Sequence, residues 1–152
     1  MYKRILVPID GSPASQSGLN EALLLAKQDK ARLRLLHVVG VFIATPALAG
    51  GRYVDDIPKT LHESGRKILK NAEALVGRHR IVVDTAMLDT VGGRAADVIV
   101  EHAKKWRADL IVIGTHGRRG LSRLALGSEA ERVIRASPLP VLVVRPRKAP
   151  RR

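Results

Sequence analysis

Gly114-Thr115-His116-Gly117 and then Gly127-Ser128 set three glycines and two hydroxyl side chains in a Gly-x2-Gly-x9-Gly-Ser spacing. Glycine tolerates positive φ and lets backbone N–H groups come close to a ligand, and consecutive N–H groups in such turns form a cradle for an anion. A helix that starts at Ser128 would add unpaired N–H donors and the positive end of its dipole. Arg118, Arg119 and Arg123 bring formal positive charge to the same stretch. The chemistry these types suit is phosphate binding.

The same residues have a second explanation. Ser128-Glu129-Ala130-Glu131 fits a capping box, which accounts for Ser128 with no ligand, and Glu129 and Glu131 put negative charge where a phosphate would sit. Gly114 and Gly117 would then only turn the chain. Asp10 is open in the same way. At the end of a first strand it can take ribose hydroxyls or a metal-bound water, yet Asp10-Gly11 is also an ordinary turn pair. His116 can meet a phosphate or solvent. The residues alone leave these alternatives standing.

The elements that must position them alternate short apolar runs with helical periodicity. Ile5–Ile9, Leu33–Val39, a run from Ile81 to Met87, Asp109–Ile113 and Val141–Val144 read as strands. Ser12 followed by Pro13 reads as a helix cap and first helical residue, and Leu19, Ala22, Leu23 and Ala26 continue as one stripe. A second stripe runs from Leu61 to Leu75 and closes at Gly77, a third runs from Ala95 to Trp106, and a fourth helix starts near Ser128 and ends before Pro138. Gly40 to about Pro58 has no period and carries Pro46, Gly50 and Gly51, so it reads as a long loop or lid. Strands apolar throughout, separated by amphipathic helices, specify a doubly wound α/β fold with a five-stranded parallel sheet covered on both faces. One domain over 1–146 and a basic tail over 147–152 are expected. Ligands of such sheets sit beyond the carboxyl ends of the strands where strand order switches. If the first and fourth strands are neighbours, Asp10 and Gly114 meet there.

Composition narrows the classes. The 152 residues are 45% hydrophobic and 27% charged, with no cysteine and no apolar run of membrane-spanning length, so a cytoplasmic protein without disulfides or thiolate chemistry is expected. Lysine and arginine number 27 against 14 acidic residues, a net charge of +13, with Arg145, Arg147, Lys148, Arg151 and Arg152 at the end. Such a surface attracts anions generally. Aromatic residues are 3%, too few for a base-stacking platform, so nucleic acid is not the expected partner. No G-x-x-x-x-G-K-S/T, G-x-G-x-x-G or G-x-S-x-G motif is present. His37 reads as structural, Trp106 as core packing and Glu101-His102 as a solvated pair.

Ile5-Leu6-Val7-Pro8-Ile9-Asp10-Gly11-Ser12, the Leu36-His37-Val38 strand end and the glycine spacing resemble the universal stress protein family, nearly throughout the chain and including Pro140-Val141-Leu142-Val143-Val144. The glycine pattern is that of the family's ATP-binding branch. The resemblance implies adenine contacts at Pro8, Ile9, Val38 and Ile113, and ribose at Asp10. It implies phosphate contacts at Gly114, Thr115, Gly117, Gly127, Ser128 and the amide of Glu129, beside which His116 and Arg118 complete the expected set. It also implies ATP with Mg2+ or Mn2+ as the ligand, a stress-response or signalling role and a homodimer through Val141–Val144. Because Asp10 and the loop arginines are the only candidates for phosphoryl transfer and suit binding better than turnover, at most slow hydrolysis is expected. Rival readings are an adenine-nucleotide hydrolase or nucleotidyltransferase of related fold, and an interaction protein that binds no nucleotide.

Overall fold

The computed structural model describes residues 1–41, 56–115 and 126–146. Its elements run β1 (Arg4–Pro8), α1 (Pro13–Asp29), β2 (Arg32–Val41), α2 (Asp56–Gly77), β3 (Val83–Val91), α3 (Ala95–Trp106), β4 (Leu110–Gly114), α4 (Ser128–Ala136) and β5 (Val141–Val144). The strands form one parallel sheet in the order β3-β2-β1-β4-β5. The chain lays down β1 to β3 in one direction, returns to the middle and continues with β4 beside β1. That return is the switch in strand order, so Asp10 and Gly114 do lie at neighbouring strand ends.

Alternation along β1 divides the core. Ile5, Val7 and Ile9 point to one face and pack under α1 and α2 with Leu19, Leu23, Leu69 and Val76. Leu6, with Leu36, Ile111 and Ile113, points to the other face under Ile99 and Ala103 of α3 and Val133 of α4. Strands covered on both faces must be apolar at every position, which is why β1 and β4 read as unbroken runs.

The start of α1 forms as its sequence specifies. Ser12 is the N-cap, its side chain accepts from Ser15 N, and Pro13 fills the first helical position, where a missing N–H costs nothing. Other boundaries move. β3 begins at Val83 and runs on to Val91, because it pairs with β2 along its whole length, from Leu33–Val83 to Val41–Val91. A run read by hydrophobicity alone stops at Met87, whereas the ladder carries the half-exposed edge residues beyond it. The interval expected to loop from Gly40 to Pro58 is shorter at both ends. β2 reaches Val41, and α2 begins at Asp56 with Pro58 in its first turn, where proline is tolerated. Residues 42–55, and with them most of the expected lid, lie outside the described residues.

Of the expected solvated pair Glu101-His102, only Glu101 is exposed. Glu101 bonds Lys105 at 2.7 Å one turn along α3, which lowers its carboxyl pKa. His102 is half-buried, and its buried Nε2 has no hydrogen-bond partner among the described residues. Burial, then the Arg34 charge, hold its pKa below the usual histidine value against the pull of Asp84. Trp106 packs on the core as expected and also carries the Arg34 guanidinium 4.7 Å above its ring. Arg34 in turn grips Asp84 of β3 directly across the sheet register, with Nη2 at 3.0 Å from Oδ2.

His62 ties α2 to β3 at the carboxyl edge. Its Nδ1–H donates to Pro58 O at 2.6 Å and its Nε2–H to Asp89 Oδ1 at 2.7 Å. Both partners can only accept, so the arrangement is complete when the ring is protonated. The pKa is accordingly raised, first by the Pro58 carbonyl and then by Asp89, against a weaker opposing effect of Arg66. A raised pKa stabilises the fold fully below the unfolded value near 6.5 and is lost as pH rises through the folded value. His62→Gln is therefore expected to lower the urea midpoint at pH 5.5 and to leave it nearly unchanged at pH 8.5. An equal effect at both values would contradict the protonated clasp.

Candidate functional site

The site is built from two βα turns at the carboxyl edge. In the first, the chain leaves β1 at Pro8 and Ile9 N donates to Leu36 O at 2.8 Å. Gly11 takes φ 80°, a conformation that a side chain would strain, and Asp10 Oδ1 accepts from Ser12 N at 2.8 Å. Ser15 Oγ donates back to Ser12 O at 3.0 Å, which fastens the turn to the first turn of α1. The turn-forming role of Asp10 is thus real. Its half-exposed carboxylate remains at the sheet edge beside β4.

The second turn follows β4. Ile113, Gly114 and Thr115 are all buried. A Cβ at Gly114 would lie 2.4 Å from the carbonyl carbon of Ala14 and 2.5 Å from its oxygen, so the backbone of α1 rests directly on this residue. Its φ is not positive. Gly114 is therefore required for close approach of helix to strand, and not for the turn conformation expected from sequence. Gly18 faces the same point, where a Cβ would sit 3.3 Å from Gly114 N. A glycine within a helical stripe costs about 1 kcal/mol relative to alanine, and that cost is the sequence signal which marks Gly18 as an approach point.

Thr115 N donates to Val144 O at 2.9 Å, and Gly127 N donates to Thr115 O at 2.7 Å. These bonds bring Gly127 and the start of α4 to the end of β4. The capping box is not formed. The N-cap is Gly127, with φ −63°, ψ 146° and no side-chain cap, and Ser128 is the first helical residue. The first backbone bond of the helix runs from Glu131 N to Gly127 O at 3.0 Å, so the amides of Ser128, Glu129 and Ala130 have no acceptor within the helix. Ser128, one residue too late to cap, therefore stands at the mouth of an N-terminus that no described side chain caps.

The two carboxylates expected to repel a phosphate are directed elsewhere. Glu129 Oε2 accepts from Ala96 N at 2.8 Å, in the first turn of α3, while Oε1 meets Arg132 at 3.4 Å. Arg94, the N-cap of α3, offers no side-chain cap of its own, so Glu129 performs that service from the neighbouring helix. Glu131 Oε1 accepts from Arg135 at 3.1 Å. Glu129→Ala is expected to cost about 1 kcal/mol of stability, the usual worth of a helix cap. Thermal melting measures it; an unchanged melting temperature would contradict the cap.

Among the remaining expected site residues, Pro8 and Val38 are half-buried at the edge, and Val38 packs on the same face as Ile113. Ile9 is on the opposite face, buried under α1. Its carbonyl accepts from His37 Nδ1 at 2.7 Å, and a Cβ at Gly65 of α2 would meet the His37 ring at 2.6 Å. His37 thus fastens the ends of β1 and β2, as its structural reading expected. His116, Gly117 and Arg118, with Arg119 and Arg123, lie outside the described residues, as does the tail 147–152. Among the described residues no three His, Asp or Glu side chains gather to hold a metal ion. No helix there is long and apolar enough to cross a membrane.

The family model described as "Universal stress protein family" matches residues 1–145. A universal stress protein of Methanocaldococcus jannaschii is 39% identical over 147 residues, covering 95% of this chain and 83% of that one. A solved universal stress protein of Lactobacillus plantarum superposes with a TM-score of 0.83 at 28% identity, covering 95% of this chain and 98% of the other. A universal stress protein solved in complex with cAMP superposes with a TM-score of 0.64 at 25% identity, covering 96% and 98%. With the parallel sheet and the paired turns at its switch point, these matches have one conclusion: the chain belongs to the universal stress protein family.

Proposed function

We propose that this protein binds an adenine nucleotide, ATP foremost, at the carboxyl edge between β1 and β4, and works as a homodimeric signalling or stress-response module in the cytoplasm. The observation that carries the reading is the continuity of the two turns. Asp10 and Ser12 form one, Ala14 touches Gly114, and Thr115 bonds Gly127 at the N-terminus of α4. A helix start that no described side chain caps, at such a junction, favours a phosphate through its first-turn amides and the positive end of its dipole. Pro8, Val38 and Ile113 offer apolar surface for the base, and Asp10 a carboxylate for the ribose hydroxyls. The cAMP complex of a relative supports an adenine nucleotide as the ligand class.

A divalent cation in this reading travels with the phosphates, which supply its oxygen ligands together with water. Asp10 holds its own turn through Ser12 N and suits holding a ribose better than taking a proton from water, so slow hydrolysis at most is expected. β5 is paired with β4 on one side, at the end of the sheet, and its other side, which no described strand pairs, suits a second copy through Val141–Val144. Calorimetric titration with ATP is the test of the nucleotide site. Saturable binding is expected, and no heat at millimolar ATP would overturn the reading.

A further inference from the structure

The opposite pole of the molecule has a charge pattern that the nucleotide site leaves unexplained. In a parallel sheet every strand begins at one edge, and every connecting helix ends there. Across that edge, from β3 to β4, stand Arg80, then Lys30 and Arg32, then Lys3 and Arg4, then Arg107, all exposed. Hydrogen bonds make this a single surface. Arg32 N donates to Lys3 O at 2.9 Å, Asp109 N to Arg4 O at 2.9 Å, and Arg4 Nη1 to Trp106 O at 2.9 Å. Three acids lie among the cations, all of them engaged: Asp109 accepts from Lys3 N and Arg4 N, Asp29 from Tyr2 N, and Asp84 bonds Arg34 and meets Arg32 at 3.7 Å. Among the described residues the carboxyl edge differs, with Asp10, Asp89, Asp97 and Glu129 at its strand ends and helix starts.

A second observation concerns the backbone. Among the described residues three that are not glycine have positive φ: Lys30 at 55°, Arg80 at 56° and Arg107 at 57°. These are turn positions that close α1, α2 and α3, where glycine or asparagine is favoured and a longer side chain is strained. All three are basic and all three lie on this edge. Cations there do complement the helix dipoles. That effect accounts for Lys30 and Arg107 at the C-caps of α1 and α3, but not for Lys3, Arg4 and Arg32, which begin strands.

We propose that the amino edge of the sheet is a docking surface for the phosphate backbone of a nucleic acid. Four adjacent strand starts at about 4.8 Å spacing hold the cations in a rigid row about 15 Å long. Four of the six are arginines, whose planar fork matches phosphate oxygens in pairs. A duplex presents phosphates in a fixed repeat that such a row can follow, whereas lipid headgroups have no fixed spacing. The shortage of aromatic residues argues against base stacking and leaves contacts to phosphates untouched.

The test uses the full chain and a short fluorescein-labelled DNA duplex, read by anisotropy over a salt series. Lys30→Gly/Arg80→Gly/Arg107→Gly removes three cations and installs the residue these turns favour, so the fold is expected to keep or gain thermal stability. Binding is expected to weaken on the order of tenfold, and the slope of log affinity against log salt to fall by about 2 to 3, since each phosphate contact contributes about 0.9. Lys3→Gln/Arg32→Gln, which leaves the turns alone, is expected to reduce the slope as well. Lys59→Gln/Lys67→Gln/Lys70→Gln removes the same charge from the exposed face of α2 and is expected to leave the slope nearly unchanged. Equal losses in the two triple variants would mean attraction by net charge alone and would overturn the proposal. So would no duplex binding at low salt, or binding to anionic phosphatidylserine vesicles that depends on these residues while the duplex is ignored. None of these outcomes bears on ATP titration, which tests the other edge.

Discussion

Gly114→Ala is expected to destabilise the fold by about 3 kcal/mol, the upper end of what overpacking a tight interior costs. The added methyl would sit 2.4 Å from the Ala14 carbonyl carbon and 2.8 Å from Ser15 N. These are backbone atoms, so no side chain can rotate away, and α1 must lift from β4 or the strand must shift. Trimming the neighbour with Ala14→Gly leaves the same clash. Either movement separates the first turn, with Asp10, from Thr115 and Gly127, so nucleotide affinity should fall together with stability. Urea unfolding would show a midpoint lower by about 1 M or more, taking a slope of about 1–3 kcal/mol per molar. A variant as stable as the parent would show that the approach of α1 to β4 is not tight.

Gly127→Asp separates binding from stability. Gly127 caps α4 with φ −63° and ψ 146°, ordinary extended values that any residue adopts. Aspartate there can accept from the amides of the first turn, which is worth a few tenths of a kcal/mol over glycine. The fold should keep its melting temperature or gain slightly. The new carboxylate would occupy the donors proposed for the phosphates and repel what it does not displace. ATP affinity is expected to drop on the order of a hundredfold, the size of a lost charge-assisted contact plus a like charge. Retained affinity in a folded variant would move the phosphates away from the start of α4.

Elements with a strong local signal were legible before any tertiary information. Ser12-Pro13 fixed the start of α1, Ala95–Trp106 the limits of α3, and Val141–Val144 the last strand, because capping chemistry and hydrophobic period act within a few residues. The end of β3 was not legible. Its residues beyond Met87 are held by pairing with β2, which a sequence window does not contain. The start of α2 was obscured by Pro58, which breaks a helix in the middle and is harmless in the first turn.

The glycine stretch shows the same division. By itself the sequence determined that glycines and hydroxyls lie where a strand gives way to a helix, that Asp10 ends the first strand, and that cations exceed acids. It could not choose between a capping box and an anion site, since both use Ser128 and its acidic neighbours. Tertiary structure decided against the capping box. Glu129 turns to the amide of Ala96 on another helix, Ser128 falls one place past the cap, and Gly114 is held against the backbone of α1. Each of these facts depends on which elements are neighbours in space. Residue types set what a turn can do; the order of strands in the sheet sets which turn it meets.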